Sequence, residues 1–180
     1  MATLAAPIRP IMTARMKQNR TGSQGSPDRG QRYADLAAEI DAVLAGESDR
    51  VARMAPVAAM LAADFDQFLW TGFYIVDPRR PDELVVGPYQ GTLGCLRIKV
   101  GRGVCGCAAA RRETLLVDDV EAFDGHIACD SRSRSEIVVP VTDRDGALIA
   151  VLDVDSAAPA AFDDIDARGL EEIVRRVFAA

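Results

Sequence analysis

From Tyr33 onward apolar side chains recur at helical spacing. Tyr33, Leu36, Ile40, Val43 and Leu44 share one face, and Gly46 ends the run. Ser48 offers an N-cap for a second helix, whose buried stripe is Val51, Met54, Val57, Leu61, Phe65 and Phe68. The pattern then changes. Residues 70–76 read as a strand, the Pro- and Arg-bearing run 77–82 as a turn, and residues 84–89 as the returning strand of a hairpin. A third short strand is predicted near 96–100. Gly101-Arg102-Gly103 interrupts the chain, and the Ala-rich stretch 104–112 predicts a short helix. A brief strand at 115–117 precedes a long polar loop, 118–135. Residues 137–141 and 148–154, joined through Asp143-Arg144-Asp145-Gly146, form a second hairpin. The last helix has Asp163, Asp164 and Asp166 at its positive end and Arg175 and Arg176 at its negative end. Leu170, Ile173, Val174 and Val177 make its apolar face. Helices at both ends of a hairpin-connected sheet predict an α+β sandwich rather than a doubly wound parallel sheet.

Composition sets the limits around this pattern. The 180 residues are 49% apolar, enough to close the core of one domain. No apolar run approaches the roughly 18 residues of a membrane-spanning helix. The net charge is −6, unevenly placed: residues 1–30 carry Arg9, Arg15, Lys17, Arg20 and Arg29 against Asp28 alone, which leaves the remainder strongly acidic. An acidic body repels nucleic acid and anionic lipid at range, so neither is expected as a partner; a small metabolite or a protein is. Residues 1–30 read as a disordered basic extension, with breakers concentrated in 21–27, or as a start assigned upstream of Met12 or Met16; a targeting segment would also fit. Residues 31–180 read as a single domain.

Four cysteines, Cys95, Cys105, Cys107 and Cys129, are too few for a disulfide scaffold. In a reducing compartment such thiols serve as buried filler, metal ligands or redox catalysts. Cys95, Cys105 and Cys129 all follow glycine-bearing or loop segments, which weakens the filler reading. Cys105-Gly106-Cys107 is tighter than paired zinc ligands, and His126 is the only histidine, so no metal is expected. A redox role needs an accessible thiolate and a second thiol able to reach it. Along the strand 148–154 and just past it, Asp153 and Asp155 point to one face, about 6.5 Å apart, while Leu148, Ala150, Leu152 and Val154 point to the other. Like-charged carboxylates at a covered site raise each other's proton affinity, so such a pair binds a cation or keeps a proton to donate. At a strand end they would simply face water. Glu136, opening the preceding strand, can join them across the hairpin.

Taken together, the runs Trp70-Thr71-Gly72-Phe73-Tyr74, Gly87-Pro88-Tyr89-Gln90-Gly91, Gly101-Arg102-Gly103-Val104-Cys105-Gly106, Asp124-Gly125-His126-Ile127-Ala128-Cys129-Asp130, Ser135-Glu136-Ile137-Val138-Val139-Pro140 and Leu152-Asp153-Val154-Asp155-Ser156 closely resemble free methionine-(R)-sulfoxide reductases, which are stand-alone GAF-domain enzymes. The likeness covers roughly residues 33–178 with the motifs in order. It implies a GAF-like fold, a mostly antiparallel sheet with helices packed on it, in a cytoplasmic homodimer. It implies reduction of free L-methionine-(R)-sulfoxide, with Cys129 as nucleophile, Cys95 as resolving cysteine and Cys105 as an accessory third. Trp70 matches a residue that holds the substrate's S-methyl group, and Glu136, Asp153 and Asp155 match the acidic cluster that binds the sulfoxide oxygen and the ammonium. Thioredoxin is the implied reductant, and no metal or organic cofactor is implied. Two features depart from the family pattern: Cys107 stands where a small residue is expected, and the N-terminal extension has no counterpart. A ligand-sensing GAF module and a thiol redox sensor are the competing readings, since a fold does not fix a function.

Overall fold

The computed structural model describes residues 28–127 and 129–179. The basic stretch 1–27, including the breaker-rich run 21–27, lies outside the described residues. Helix α1 (Arg29–Val43) begins where Asp28 accepts from the Gly30 amide, and α2 (Arg50–Asp64) where Asp49 accepts from Ala52. The expected cap at Ser48 is therefore one residue early. Helix α2 stops at Asp64, so Phe65 and Phe68 lie beyond it. They remain buried because they stack with Tyr33 and each other, at centroid separations of 4.4 and 4.8 Å. Val51, expected in the buried stripe, is instead exposed.

Six antiparallel strands follow: β1 (Trp70–Asp77), β2 (Arg80–Gln90), β3 (Arg97–Lys99), β4 (Leu115–Val117), β5 (Ser135–Thr142) and β6 (Leu148–Ser156). The sheet order is β3-β2-β1-β6-β5-β4. Between β3 and β4 runs helix α3 (Gly103–Arg111), and α4 (Asp164–Phe178) closes the chain behind a capping box formed by Asp163 and Asp166. The order and types match the hydrophobic pattern; β1, β2, β5 and β6 run beyond it at one or both ends, while β3 is a residue shorter at each. The 118–135 segment carries one short 3-10 turn, Val120–Ala122, which buries Val120.

Strand alternation divides the core in two. Phe73, Ile137, Val139, Leu152 and Val154 pack beneath α1, α2 and α4. Trp70, Tyr74, Leu84, Val138 and Val151 face the opposite way, toward α3 and the loops around it. Leu148 does not join Ala150, Leu152 and Val154 as expected. The pairing slips between Val141 and Thr142, so Ile149 shares the helix-side core with Ala150 while Leu148 packs against the other cluster. The site lies on that other side.

Candidate functional site

Register assembles the acids. On the α3 side of the sheet Trp70, Asp155, Glu136 and Val117 stand in one row across four strands, because Trp70 pairs with Asp155, Asp155 with Glu136, and Glu136 with Val117. The next row sets Gly72 and Val138 on either side of Asp153. A side chain at Gly72 would collide with Tyr89 and with the Trp70 ring. The Asp pair thus lies under cover and not at a solvated strand end: Asp153 is buried with Glu136, and Asp155 is half-buried.

Helix α3 brings a thiol down onto these acids. The Gly101-Arg102-Gly103 break is the start of the helix, with Gly103 at φ +62°, a backbone setting few side chains accept. Cys105 therefore lies in the first turn of the helix expected over 104–112 and is buried, although its place after a glycine break weighs against a buried thiol. Its sulfur is 3.7 Å from Glu136 Oε1, and Cys105, Glu136 and Asp153 present donor atoms all within 4.8 Å of one another. Two positions further on, Cys107 points the other way, its sulfur 3.7 Å from the Gly101 carbonyl.

These groups hold protons tightly. Burial, reinforced by Asp155, pushes Glu136 up to about 8. Burial pushes Asp155 up to about 6 against a hydrogen bond from the Ser133 hydroxyl. Asp153 is raised well above the carboxylate range by burial, then by Asp155 and Glu136, and its Oδ1 has no hydrogen-bond partner among the described residues. The Cys105 thiol is pushed up by burial and by the same acids. The Cys105–Glu136–Asp153 group has ligand types suited to a divalent cation, but a cation would have to displace protons that the site favours keeping. What the arrangement does without one is keep carboxylic acids protonated near neutral pH.

Over the cluster lies a disulfide. Cys95, between β2 and β3, and Cys129, in the segment before β5, are bonded across 34 residues with Cα atoms 5.3 Å apart. Beneath it is a cavity of about 20 Å³ lined by Cys105, Cys129, Ser133, Glu136, Asp153 and Asp155, with His126, Ile127 and Asp130 among the residues at its edge. That volume takes a single water. Cys129 is exposed and Cys95 half-buried. His126 is half-buried, and burial lowers its proton affinity, leaving it neutral at pH 7.

Five of the seven expected site residues therefore line one cavity, and Cys95 closes it. Trp70 stands apart from the lining. Its ring stacks against Tyr74 and Tyr89, its Nε1 donates to the Thr92 carbonyl at 3.1 Å, and Gly94 passes over it so closely that a Cβ there would lie 3.3 Å from the ring. The indole thus supports the loop carrying Cys95. Sequence reasoning missed Ser133, which donates to Asp155, and the tie between the two cysteine loops, in which Asp130 accepts from both Thr92 and Arg132. These two hydrogen bonds hold the Asp130 carboxyl well below its usual range. Only Asp130, inside a quoted motif, carried any signal.

Comparison with known proteins agrees with this geometry. Residues 39–180 match the GAF domain. The chain is 46% identical over 153 residues to GAF domain-containing protein A of Dictyostelium discoideum, covering 85% of this chain and 93% of that one. It is 44% identical over 145 residues to the free methionine-R-sulfoxide reductase of Escherichia coli (strain K12), covering 81% and 86%. The X-ray structure of free methionine-R-sulfoxide reductase from Neisseria meningitidis in complex with its substrate matches with a TM-score of 0.79 and 48% identity, covering 84% of this chain and 89% of that one. With its curled six-stranded antiparallel sheet and four helices, the chain has the GAF fold and belongs to the free methionine-R-sulfoxide reductase family.

Proposed function

We propose that the protein reduces free L-methionine-(R)-sulfoxide to methionine, with Cys129 as the nucleophile. The observation that carries this reading is the Cys95–Cys129 disulfide spanning a cavity lined by three carboxyls of raised proton affinity. In the reduced enzyme the Cys129 thiolate attacks the sulfoxide sulfur. The departing oxygen needs a proton, and Glu136 or Asp153 holds one at neutral pH. The substrate sulfur gains two electrons and leaves as the thioether of methionine, while the oxygen ends on Cys129 as a sulfenic acid. The Cys95 thiol then displaces water from that sulfenic acid, giving the disulfide.

Asp155, with the lowest proton affinity of the three and its Ser133 bond favouring the anion, holds the substrate ammonium. A methionine sulfoxide inside a polypeptide has no such ammonium, which restricts the enzyme to the free amino acid. Trp70, in the same sheet row as Asp155, holds the S-methyl group once the cysteine loops part. Cys105 keeps its accessory role: it shares the cavity with Cys129, and its protonated thiol bonds to Glu136.

A dithiol, for which thioredoxin is the natural source, returns the disulfide to thiols. That cycle needs a reducing compartment, hence the cytoplasm; no helix among the described residues is long and apolar enough to cross a membrane. We assign the catalytic domain to residues 31–180 and the active form to a homodimer.

The test is turnover. Purified protein with dithiothreitol should convert free methionine-(R)-sulfoxide to methionine while leaving the (S)-epimer and peptide-bound sulfoxide unchanged, by chromatography of the product. Rapid disulfide formation with peroxide but no sulfoxide turnover would favour a redox sensor instead.

A further inference from the structure

We propose that Leu93, Leu96 and Ile127 form an apolar docking rim around the Cys95–Cys129 disulfide, on which a protein dithiol seats to reduce it. Leu93 and Leu96 are the most exposed large apolar side chains among the described residues, at 76% and 69%, and Ile127 is exposed as well. Each lies within two residues of a disulfide cysteine. At 3.8 Å per residue, all three Cα atoms stay within about 8 Å of the Cα of a bonded cysteine. Single exposed leucines are ordinary, but three gathered on one reactive bond form a patch.

Charge avoids the same place. Charged residues make up 27% of the chain, yet none occurs in Gln90-Gly91-Thr92-Leu93-Gly94-Cys95-Leu96. Gly125-His126-Ile127-Ala128-Cys129 carries none either, since His126 stays neutral. Of the charges that flank these runs, Arg97 pairs with Asp77 and Glu83 and Asp130 with Arg132, while Asp124 borders the far end of the second run. An apolar, uncharged rim suits a protein partner that buries area around its own reactive thiol. A small charged thiol gains little from it.

The occupant follows from the chemistry at the centre of the patch, and the proposal rests on the reductase reading in that respect. The partner's thiolate attacks the sulfur of Cys129, an exposed residue, and Cys95 leaves and takes up a proton. The partner's second thiol then displaces Cys129 from the mixed disulfide, so the partner ends oxidised and both cysteines end as thiols.

The experiment uses the full-length oxidised protein and needs no sulfoxide. Reduction of the disulfide by reduced thioredoxin or by dithiothreitol is quenched by alkylation, and labelled thiols are counted by mass. The Leu93→Ser/Leu96→Ser double variant should react with thioredoxin roughly tenfold more slowly, the loss expected from one buried leucine's worth of contact. With dithiothreitol it should stay within about twofold of the parent protein. Val51→Ser, at an exposed apolar residue elsewhere, should change neither rate. An unchanged thioredoxin rate, an equal loss with both reductants, or a halved mass in solution, which would make the rim a contact between copies, overturns the proposal. Sulfoxide turnover with dithiothreitol, measured separately, tests the reductase reading itself.

Discussion

Two aspartates lie buried on opposite sides of one sheet, and they have opposite surroundings. Asp166, fully buried at the start of α4, has both oxygens engaged. Oδ1 accepts from the Tyr33 hydroxyl at 3.0 Å, and Oδ2 accepts from the Asp163 amide at 2.9 Å with Arg29 3.3 Å away. Asp153, 6% exposed on β6, has one oxygen with no partner among the described residues, and its neighbours are two more acids and a thiol. A satisfied buried carboxylate fixes the packing of α1 on α4. An unsatisfied one beside like charge costs stability and retains its proton. Burial alone does not mark a site; an unpartnered carboxyl oxygen buried among further acids does.

Substitutions can break this contrast. The largest effect belongs to neither aspartate: Cys129→Ser should abolish reduction of free methionine-(R)-sulfoxide while both carboxyl environments persist, and full activity would remove the nucleophile assignment. Asp153→Asn should lower kcat by about 10²–10⁴-fold, the usual contribution of a positioned acid, without lowering Tm. Asp166→Asn should do the reverse, losing about 1–3 kcal/mol of stability in urea through unmet hydrogen bonds while kcat/KM changes little. If Asp166→Asn removed turnover from a folded protein, the two sides would not be functionally distinct.

Proton affinities sharpen the contrast further. If Asp155 is ionised to hold the ammonium and the Glu136–Asp153 pair stays protonated to supply the acid, kcat/KM against pH should be bell-shaped, with limbs near 6 and 8. Stability should follow the same groups. Folded Glu136 keeps a proton that the unfolded chain releases near its ordinary value, so its contribution is present at low pH and is lost as pH rises toward 8. Glu136→Gln should flatten that decline in Tm and remove the alkaline limb of the rate profile. The smallest effect is expected from Ser133→Ala, which deletes the bond favouring ionised Asp155 and should move the acid limb to higher pH.

Much of this was readable in the sequence wherever the information is local. Period-two alternation placed Asp153 and Asp155 on one face, the hairpin brought Glu136 beside them, and the element order followed the hydrophobic pattern. Local reasoning failed at Leu148, where a slip in strand pairing reverses the side chain, and at Cys105, whose place after a glycine break weighs against the burial it has. The bond between Cys95 and Cys129 crosses 34 residues. Nothing in the intervening spacing dictates it, so only family resemblance pointed to that pair. Ser133 and Thr92 act through contacts that exist only after folding, and no pattern in their own segments marks them.

The 20 Å³ left beneath the bonded cysteines has a kinetic meaning. An oxidised molecule has no berth for an amino acid, so neither unreacted sulfoxide nor accumulated methionine can occupy it while it waits for electrons. In the proposed cycle recharging then comes before reloading, and the two co-substrates visit the protein in turn. Even a large excess of sulfoxide would leave the recharging half of the cycle uninhibited.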